Sequence, residues 1–164
     1  MVKYLSKNFI INFLLILIIF FLDRFSKIYV ISFHEKNYGS DLYNSKFLNI
    51  SLIWNEGIAF GLFSFSDKFF YHILSFLIGV VILIILVMLS RSEGLKKYSL
   101  LMILGGALGN FYDRIIFEAV PDFIDFHVEN FHWFIFNVSD IFICLGVIFM
   151  IILEIVSNKK ESLK

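Results

Sequence analysis

The sequence predicts a membrane protein of the all-α class, with four transmembrane helices and a small extracytoplasmic β-rich segment between helices 1 and 2. Of the 164 residues, 59% are hydrophobic, 22 are Phe and only 17% are charged. A soluble domain of this length could not bury that much apolar surface. The apolar residues also gather into four runs of about 20 residues, the length that crosses a bilayer core of about 30 Å.

The four spans are predicted at roughly residues 9–31, 69–89, 98–117 and 138–156. A cleavable secretory signal is the alternative for the first span, because Lys3 and Lys7 precede it. No small-x-small cleavage site follows, however, and the apolar pattern resumes at Ile28 after the polar stretch 23–27, which favours a retained helix. No repeat or linker divides the chain, so we expect residues 1–164 to form one membrane-embedded domain.

The orientation is predicted from the Lys and Arg residues. Eight of the 14 lie before the first span, between the second and third spans, or after the fourth, whereas the segment 118–136 has four acidic residues and no Lys or Arg. An excess of Lys and Arg marks the cytoplasmic side. Both termini are therefore expected in the cytoplasm, with residues 34–68 and 118–136 outside.

The two outer segments differ in pattern. Apolar residues alternate at positions 48, 50, 52 and 54, which is typical of a strand, and Asn55-Glu56-Gly57 then has turn chemistry. The segment 118–136 is acidic, with four Asp or Glu residues and no Lys or Arg. It contains His127 and His132 with two aspartates, but in no zinc-like spacing. We expect a polar surface loop there, without a metal.

Three aspartates are expected at a similar depth in the membrane. Entering from the cytoplasm, the first span reaches Asp23 after about 21 Å and the third span reaches Asp113 after about 22 Å. The fourth span enters from outside and has Asp140 at its start. All three carboxylates should therefore lie within roughly 10 Å of the outer edge of the hydrocarbon.

A carboxylate at this depth costs about 2.5–3.5 kcal/mol, so it normally faces the protein interior and has a function. Two neighbouring carboxylates tend to share one proton, the arrangement with which aspartic proteases activate water. A purely structural alternative remains: Asp113 could pair with Arg114 or Lys27, and Asp140 could cap the fourth helix. The residues alone leave both possibilities open.

Five sequence blocks resemble, in order and spacing, the motifs of bacterial lipoprotein signal peptidase. They are FLDRFSK (21–27), NEGIAFG (55–61), GGALGNFYDRI (105–115), VPDFIDF (120–126) and FNVSD (136–140). The resemblance implies an aspartic endopeptidase of the bacterial cytoplasmic (inner) membrane, with its active site toward the outer face. Its implied substrates are diacylglyceryl-modified prolipoproteins, cleaved on the amino side of the lipidated cysteine. It implies no cofactor and no metal.

The resemblance also implies roles for individual residues. The GNxxD and FNxAD blocks make Asp113 and Asp140 the catalytic carboxylates. Supporting or substrate-binding roles fall to Asp23, Asn55, Asn110, Arg114 and Asn137. Beyond lipidated prolipoproteins, the expected partners are membrane lipids; no nucleic acid is expected, and we expect a monomer.

Two positions depart from the family pattern. Ser139 replaces the usual Ala before the aspartate, and its hydroxyl could hydrogen-bond near Asp140. Pro121 stands where an aliphatic residue is usual and removes one backbone donor from the outer segment.

Other functions remain as alternatives. A small four-span ion or proton transporter could use the membrane aspartates, although the inner halves of spans two to four carry almost no polar residues. A structural protein could use the aspartates only to stabilise helix ends. The small residues at Gly105 and Gly109 are expected to allow close helix packing, and Cys144 is expected to be an ordinary core residue.

Overall fold

The computed structural model describes residues 7–57, 68–129 and 131–161, and contains four long helices. They are α1 (Lys7–Lys36), α2 (Lys68–Ser90), α3 (Gly94–Phe117) and α4 (Val138–Glu161). Each is long and apolar enough to cross a membrane, over Phe9–Lys36, Tyr71–Ser90, Gly94–Phe117 and Val138–Ser157. The predicted fold class, a membrane protein with four helices and a small sheet, is confirmed. Helix α1 continues without a break through the polar stretch 23–27.

Helix α3 is the centre of the bundle. It packs against α1, α2 and α4, and 56% of its most apolar window is buried, against 11–17% for the other three helices. Leu100 and Leu104, each 1% exposed, form a core with Ile82 and Ile85 of α2. The outer faces of α1, α2 and α4 consist largely of exposed Phe, Leu, Ile and Val, as a lipid solvent requires.

The small residues of α3 allow its neighbours to come very close. A Cβ built on Gly105 would lie 2.9 Å from the Cβ of Ile19 in α1, and one on Gly106 would lie 2.5 Å from the backbone oxygen of Ser139 in α4. A Cβ on Gly109 would collide with Ser139 and Asp23 together. The small-residue pattern therefore serves packing, as expected, and fixes α3 against both α1 and the start of α4.

An antiparallel sheet closes one end of the bundle. Its strands are β1 (Tyr43–Asn44), β2 (Leu48–Asn55), β3 (Val120–Val128) and β4 (Phe131–Phe136), in the order β1-β2-β3-β4. The alternating stretch forms β2 as predicted. The sheet is not confined to the segment between helices 1 and 2, however, because half of its strands come from the segment between α3 and α4.

The expectation of a polar surface loop over 118–136 is therefore wrong. This segment forms the hairpin β3–β4, and residues 120–123 at the start of β3 are all buried, Asp122 among them at 2% exposed. A strand start covered on both faces shows no alternation, so the period-2 signal in β3 begins only at Ile124.

The turn after α3 directs this strand back over the bundle. Glu118 ends the helix in the left-handed conformation, with φ 54°. β3 then pairs with β2, Val120 opposite Asn55 and Pro121 opposite Trp54. The register brings the end of β2 beside Asp122, and α4 begins directly after β4.

Candidate active site

Most of the polar side chains that the structure buries gather where α1, α3 and α4 meet the sheet. All seven predicted site residues belong to this cluster, each at 8% exposure or less. They are Asp23, Asn55, Asn110, Asp113, Arg114, Asn137 and Asp140. Four further buried residues join them: Arg24, Lys27, Asp122 and Ser139. The cluster holds four carboxylates, and their partners divide them into two pairs.

The first pair of carboxylates is neutralised by cations. Lys27, fully buried, lies 2.9 Å from Asp23 and 2.7 Å from Asp113. Arg24 bridges the same two carboxylates, at 2.9 Å from Asp23 and 2.5 Å from Asp113. Two carboxylates and two cations thus form a closed, charge-balanced group, in which the burial of each charge is compensated by direct partners.

This group ties α1 to both neighbouring helices. Asp113 extends the ion pairs to α3, while Asp23 accepts a hydrogen bond from the backbone N–H of Ser139, in the first turn of α4, at 3.0 Å. The supporting role expected for Asp23 thus has a structural basis. The Ser139 hydroxyl has no hydrogen-bond partner among the described residues, so the expected bond near Asp140 is absent.

Asp140 is held by amide groups. Its carboxylate accepts from the backbone N–H of Asn137 at 3.1 Å, and its own N–H donates to the side-chain oxygen of Asn137 at 3.1 Å. This reciprocal pattern is a capping box at the start of α4. The other Asp140 oxygen accepts from the side-chain amide of Asn110 at 2.7 Å. Asp140 therefore caps its helix, and the cap holds its carboxylate in a defined position.

Among the described residues, the donors to Asp122 are neutral as well. One of its oxygens accepts from the side-chain amide of Asn137 at 2.6 Å, and the other from that of Asn55 at 2.8 Å. Asn137 thus donates to Asp122 through its side chain and to Asp140 through its backbone. The two carboxylates share one asparagine as a donor.

The Asp122 and Asp140 carboxylates also interact through their charges. The pKa of Asp122 is raised to about 6, first by burial and second by the negative charge of Asp140. The amides of Asn55 and Asn137 and the charge of Lys27 oppose the shift. Two carboxyl groups in this relation do not both ionise readily near neutral pH, and their protons are released as a coupled pair.

The predicted residues are therefore brought together, but in a different grouping from the one expected. Asp113 was expected to face Asp140 as a free carboxylate, yet Arg24 and Lys27 occupy it. The alternative pairing of Asp113 with Lys27 is observed; the alternative pairing with Arg114 is not. The carboxylate that shares a partner with Asp140 is Asp122, which lies in the segment expected to be a surface loop.

Asn110 joins the two groups of carboxylates. Its side-chain oxygen accepts from Lys27 at 2.8 Å, which turns its NH₂ group toward Asp140. The Lys27 contact fixes the direction of this amide, since a lysine ammonium only donates. The charge-balanced group therefore positions a donor on Asp140.

Arg114 supports the site through the backbone. Its guanidinium donates to the carbonyl of Gly57 at 3.1 Å and to that of Asn110 at 3.3 Å. Gly57 in turn donates its N–H to the side-chain oxygen of Asn55 at 2.9 Å. Arg114 thus stabilises the turn that aims Asn55 at Asp122.

The remaining candidates lie outside this cluster. Asp125 pairs with His132 at 2.8 Å on the hairpin, and Cys144 is exposed rather than in the core. Among the described residues, no group of three or more His, Cys, Asp or Glu side chains is arranged to hold a metal ion.

Comparison with known sequences identifies the family. Residues 15–156, most of the chain, match the family described as Signal peptidase (SPase) II. The chain belongs to the signal peptidase II family. It is 47% identical over 156 residues to the lipoprotein signal peptidase of Pelagibacter ubique (strain HTCC1062), covering 95% of this chain and 94% of that protein. The lipoprotein signal peptidase of Francisella tularensis subsp. mediasiatica (strain FSC147) is 36% identical over 154 residues, covering 91% and 94%.

Solved structures agree with this family assignment. Two structures described as bacterial membrane enzymes match this signal peptidase II fold with TM-scores of 0.68 and 0.64, at 28% and 26% identity. The first match covers 92% of both chains, and the second covers 87% and 90%. The predicted enzyme class, a lipoprotein signal peptidase, is confirmed, and nothing favours the transporter.

Proposed function

We propose that this enzyme removes the signal peptide from diacylglyceryl-modified prolipoproteins, with Asp122 and Asp140 as its acid–base pair. The observation that carries the assignment is the contrast among the four carboxylates of the cluster. Asp23 and Asp113 each contact two cations, whereas the donors to Asp122 and Asp140 among the described residues are neutral amides. Carboxylates without a cationic partner are the ones suited to proton transfer, while those paired with Arg and Lys serve to balance charge.

The chemistry follows from one proton shared by the pair. The ionised carboxylate removes a proton from a water, whose oxygen attacks the scissile carbonyl carbon. The protonated carboxylate hydrogen-bonds the carbonyl oxygen and stabilises the tetrahedral intermediate. A proton then passes to the leaving amine, which is the amino group of the lipidated cysteine, and the C–N bond breaks. No covalent intermediate forms.

The other predicted residues act by positioning. Asn55, Asn110 and Asn137 donate to the pair and fix the four oxygens in space. Asp113, for which the resemblance implies a catalytic role, is proposed instead to hold Lys27, and Lys27 holds Asn110. Asp23 keeps α4, and with it Asp140, close to α1.

We further propose that the protein lies in the bacterial cytoplasmic membrane with both termini inside and the site toward the outer face. The support is the excess of Lys and Arg on the proposed inner side, with eight there against three in the outer segment 34–68. The sheet beside the site carries exposed aromatic side chains, such as Trp133 and Phe134, which suit a membrane–water interface. The substrate's acyl chains would stay in the lipid while its peptide bond reaches the pair.

Purified enzyme and two versions of one precursor test this proposal. A diacylglyceryl-modified prolipoprotein should be cleaved directly before its modified cysteine, which mass spectrometry of the products locates, and the unmodified precursor should not be cleaved. Asp140→Asn should lower the rate by about 10²–10⁴-fold. Equal cleavage of both precursors would refute the substrate, and wild-type cleavage by Asp140→Asn would refute the mechanism.

A further inference from the structure

A groove opens at the end of the bundle remote from the carboxylates. Helices α1 and α2 both pack on α3 but make almost no contact with each other, and the space between them is a groove of about 400 Å³. This volume lies within the range of ligand-binding pockets, about 300–1,000 Å³. Its apolar walls and floor include Phe13, Ile16, Leu86, Leu89, Leu101 and Leu104.

The mouth of this groove is polar. Asn12 of α1 and Lys97 of α3 line both the groove and an adjoining recess of about 370 Å³. Lys97 lies in the first turn of α3, at the edge of its span, and is half-buried. The recess is also lined by Glu93, an exposed carboxylate.

Neither polar group at the mouth is satisfied by the described part of the chain. The Asn12 amide, half-buried in an otherwise apolar stretch of a membrane helix, has no hydrogen-bond partner there, and Lys97 has no ion pair there. The neighbouring lysine differs: Lys96 points toward α4 and lies 3.5 Å from Glu154. A polar side chain at membrane depth is costly unless it finds a partner.

We propose that this groove binds one anionic phospholipid, with an acyl chain between α1 and α2 and the headgroup phosphate on Lys97 and Asn12. The apolar walls match a hydrocarbon chain, and the ammonium and amide N–H groups match phosphate oxygens. The charge of the region also suits an anion, because residues 91–97 include three cations, Arg91, Lys96 and Lys97, and one carboxylate, Glu93. In the proposed orientation this lipid comes from the cytoplasmic leaflet.

The site is independent of the catalytic assignment. It lies at the opposite end of α3 from Asp113, so a lipid there would fix the spacing of α1 and α2 without touching the carboxylates. Its loss and the loss of peptidase activity can be measured separately.

Native mass spectrometry of the full-length protein tests the proposal, with phosphatidylglycerol and phosphatidylcholine of identical acyl chains as probes. The wild type should retain one phosphatidylglycerol in preference to phosphatidylcholine. Lys97→Gln should bind phosphatidylglycerol about fivefold more weakly, because a lysine near anionic lipid contributes about 1 kcal/mol. Its affinity for phosphatidylcholine should not change.

Lys96→Gln is the matched control, since it removes the same charge one residue away. It should keep the wild-type preference, and both variants should keep the wild-type melting temperature and cleavage rate. Equal retention of the two lipids by the wild type would overturn the proposal. An equal loss of phosphatidylglycerol binding in the two lysine variants would also overturn it, because it would indicate diffuse surface charge. A dimer that excludes lipid would overturn it as well, because a second copy would then occupy the groove.

Discussion

At the residue scale, the central feature is the division of the four carboxylates of the cluster by their partners. Asp23 and Asp113 share Arg24 and Lys27, whereas Asp122 and Asp140 share Asn137. The cations balance the charges of the first two carboxylates, whereas the second two have neutral donors and repel each other electrostatically. The division therefore separates charges that hold the helices together from charges that can exchange a proton.

The raised pKa of Asp122 predicts a pH-dependent effect on stability. Its folded value of about 6 exceeds the ordinary value of 3.8, so the folded protein binds more protons than the unfolded chain between these values. The free energy of unfolding should therefore fall, by about 3 kcal/mol at most, as the pH rises from 3.8 to about 6. Asp122→Asn lacks this titration. The melting temperature of Asp122→Asn minus that of the wild type should therefore increase from pH 4 to pH 7. A difference that stays constant over this range would contradict the pKa shift.

Lys27 is predicted to be the most important cation for stability. Lys27→Met leaves Asp23 and Asp113 buried with less charge compensation and frees Asn110. Breaking a buried ion pair by removing one partner costs about 3–5 kcal/mol. The control is Lys96→Met, which removes an exposed pair with Glu154 at 3.5 Å and should cost about 1 kcal/mol or less. Thermal unfolding in detergent compares the two, and similar melting temperatures would refute the role given to Lys27.

At the element scale, the contact between α3 and α4 sets the position of Asp140. A Cβ on Gly106 would lie 2.5 Å from the backbone oxygen of Ser139, beside Asp140. Backbone cannot move aside as a flexible side chain can, so Gly106→Ala should push the start of α4 away. We expect a loss of about 1–3 kcal/mol in stability and slower cleavage.

Gly79→Ala is the control for this prediction. A Cβ there would meet only the Phe111 ring, at 3.4 Å, and Ala is the better helix former by about 1 kcal/mol. This variant should melt at or above the wild-type temperature and cleave at the wild-type rate. If Gly106→Ala behaved in the same way, the close approach of α3 and α4 would not determine the site.

The helices were predictable because a lipid solvent requires long apolar runs. β2 was predictable because a strand covered on one face alternates apolar and polar residues. The hairpin was not predicted, because residues 120–123 at the start of β3 are buried on both faces and alternation begins only at Ile124. Asp23, Asp113 and Asp140 are recognisable by their depth within the spans, whereas Asp122 lies outside the spans. The VPDFIDF block contains Asp122, but in a segment predicted to be a polar surface loop.

At the scale of the whole molecule, buried polarity is concentrated at one end. In the part of the chain that the structure describes, Ser99 is the only buried polar side chain in the half of the bundle remote from the sheet, and its hydroxyl bonds back to Leu95. A conduction path would need polar groups along the whole span. Proteoliposomes of the enzyme should therefore show no ion or proton flux above that of protein-free vesicles, and a flux abolished by Asp113→Asn would contradict this.

The most direct test of the account is a comparison of aspartate variants in single-turnover cleavage of a lipidated precursor. Asp122→Asn should lower the rate by about 10²–10⁴-fold while keeping the fold. Asp125→Asn should cleave like wild type. Asp125 is a buried aspartate on the same strand, and its carboxylate pairs with His132. Asp113→Asn should melt earlier but still cleave faster than Asp122→Asn. Near wild-type cleavage by Asp122→Asn, together with none by Asp113→Asn, would return the catalytic role to Asp113.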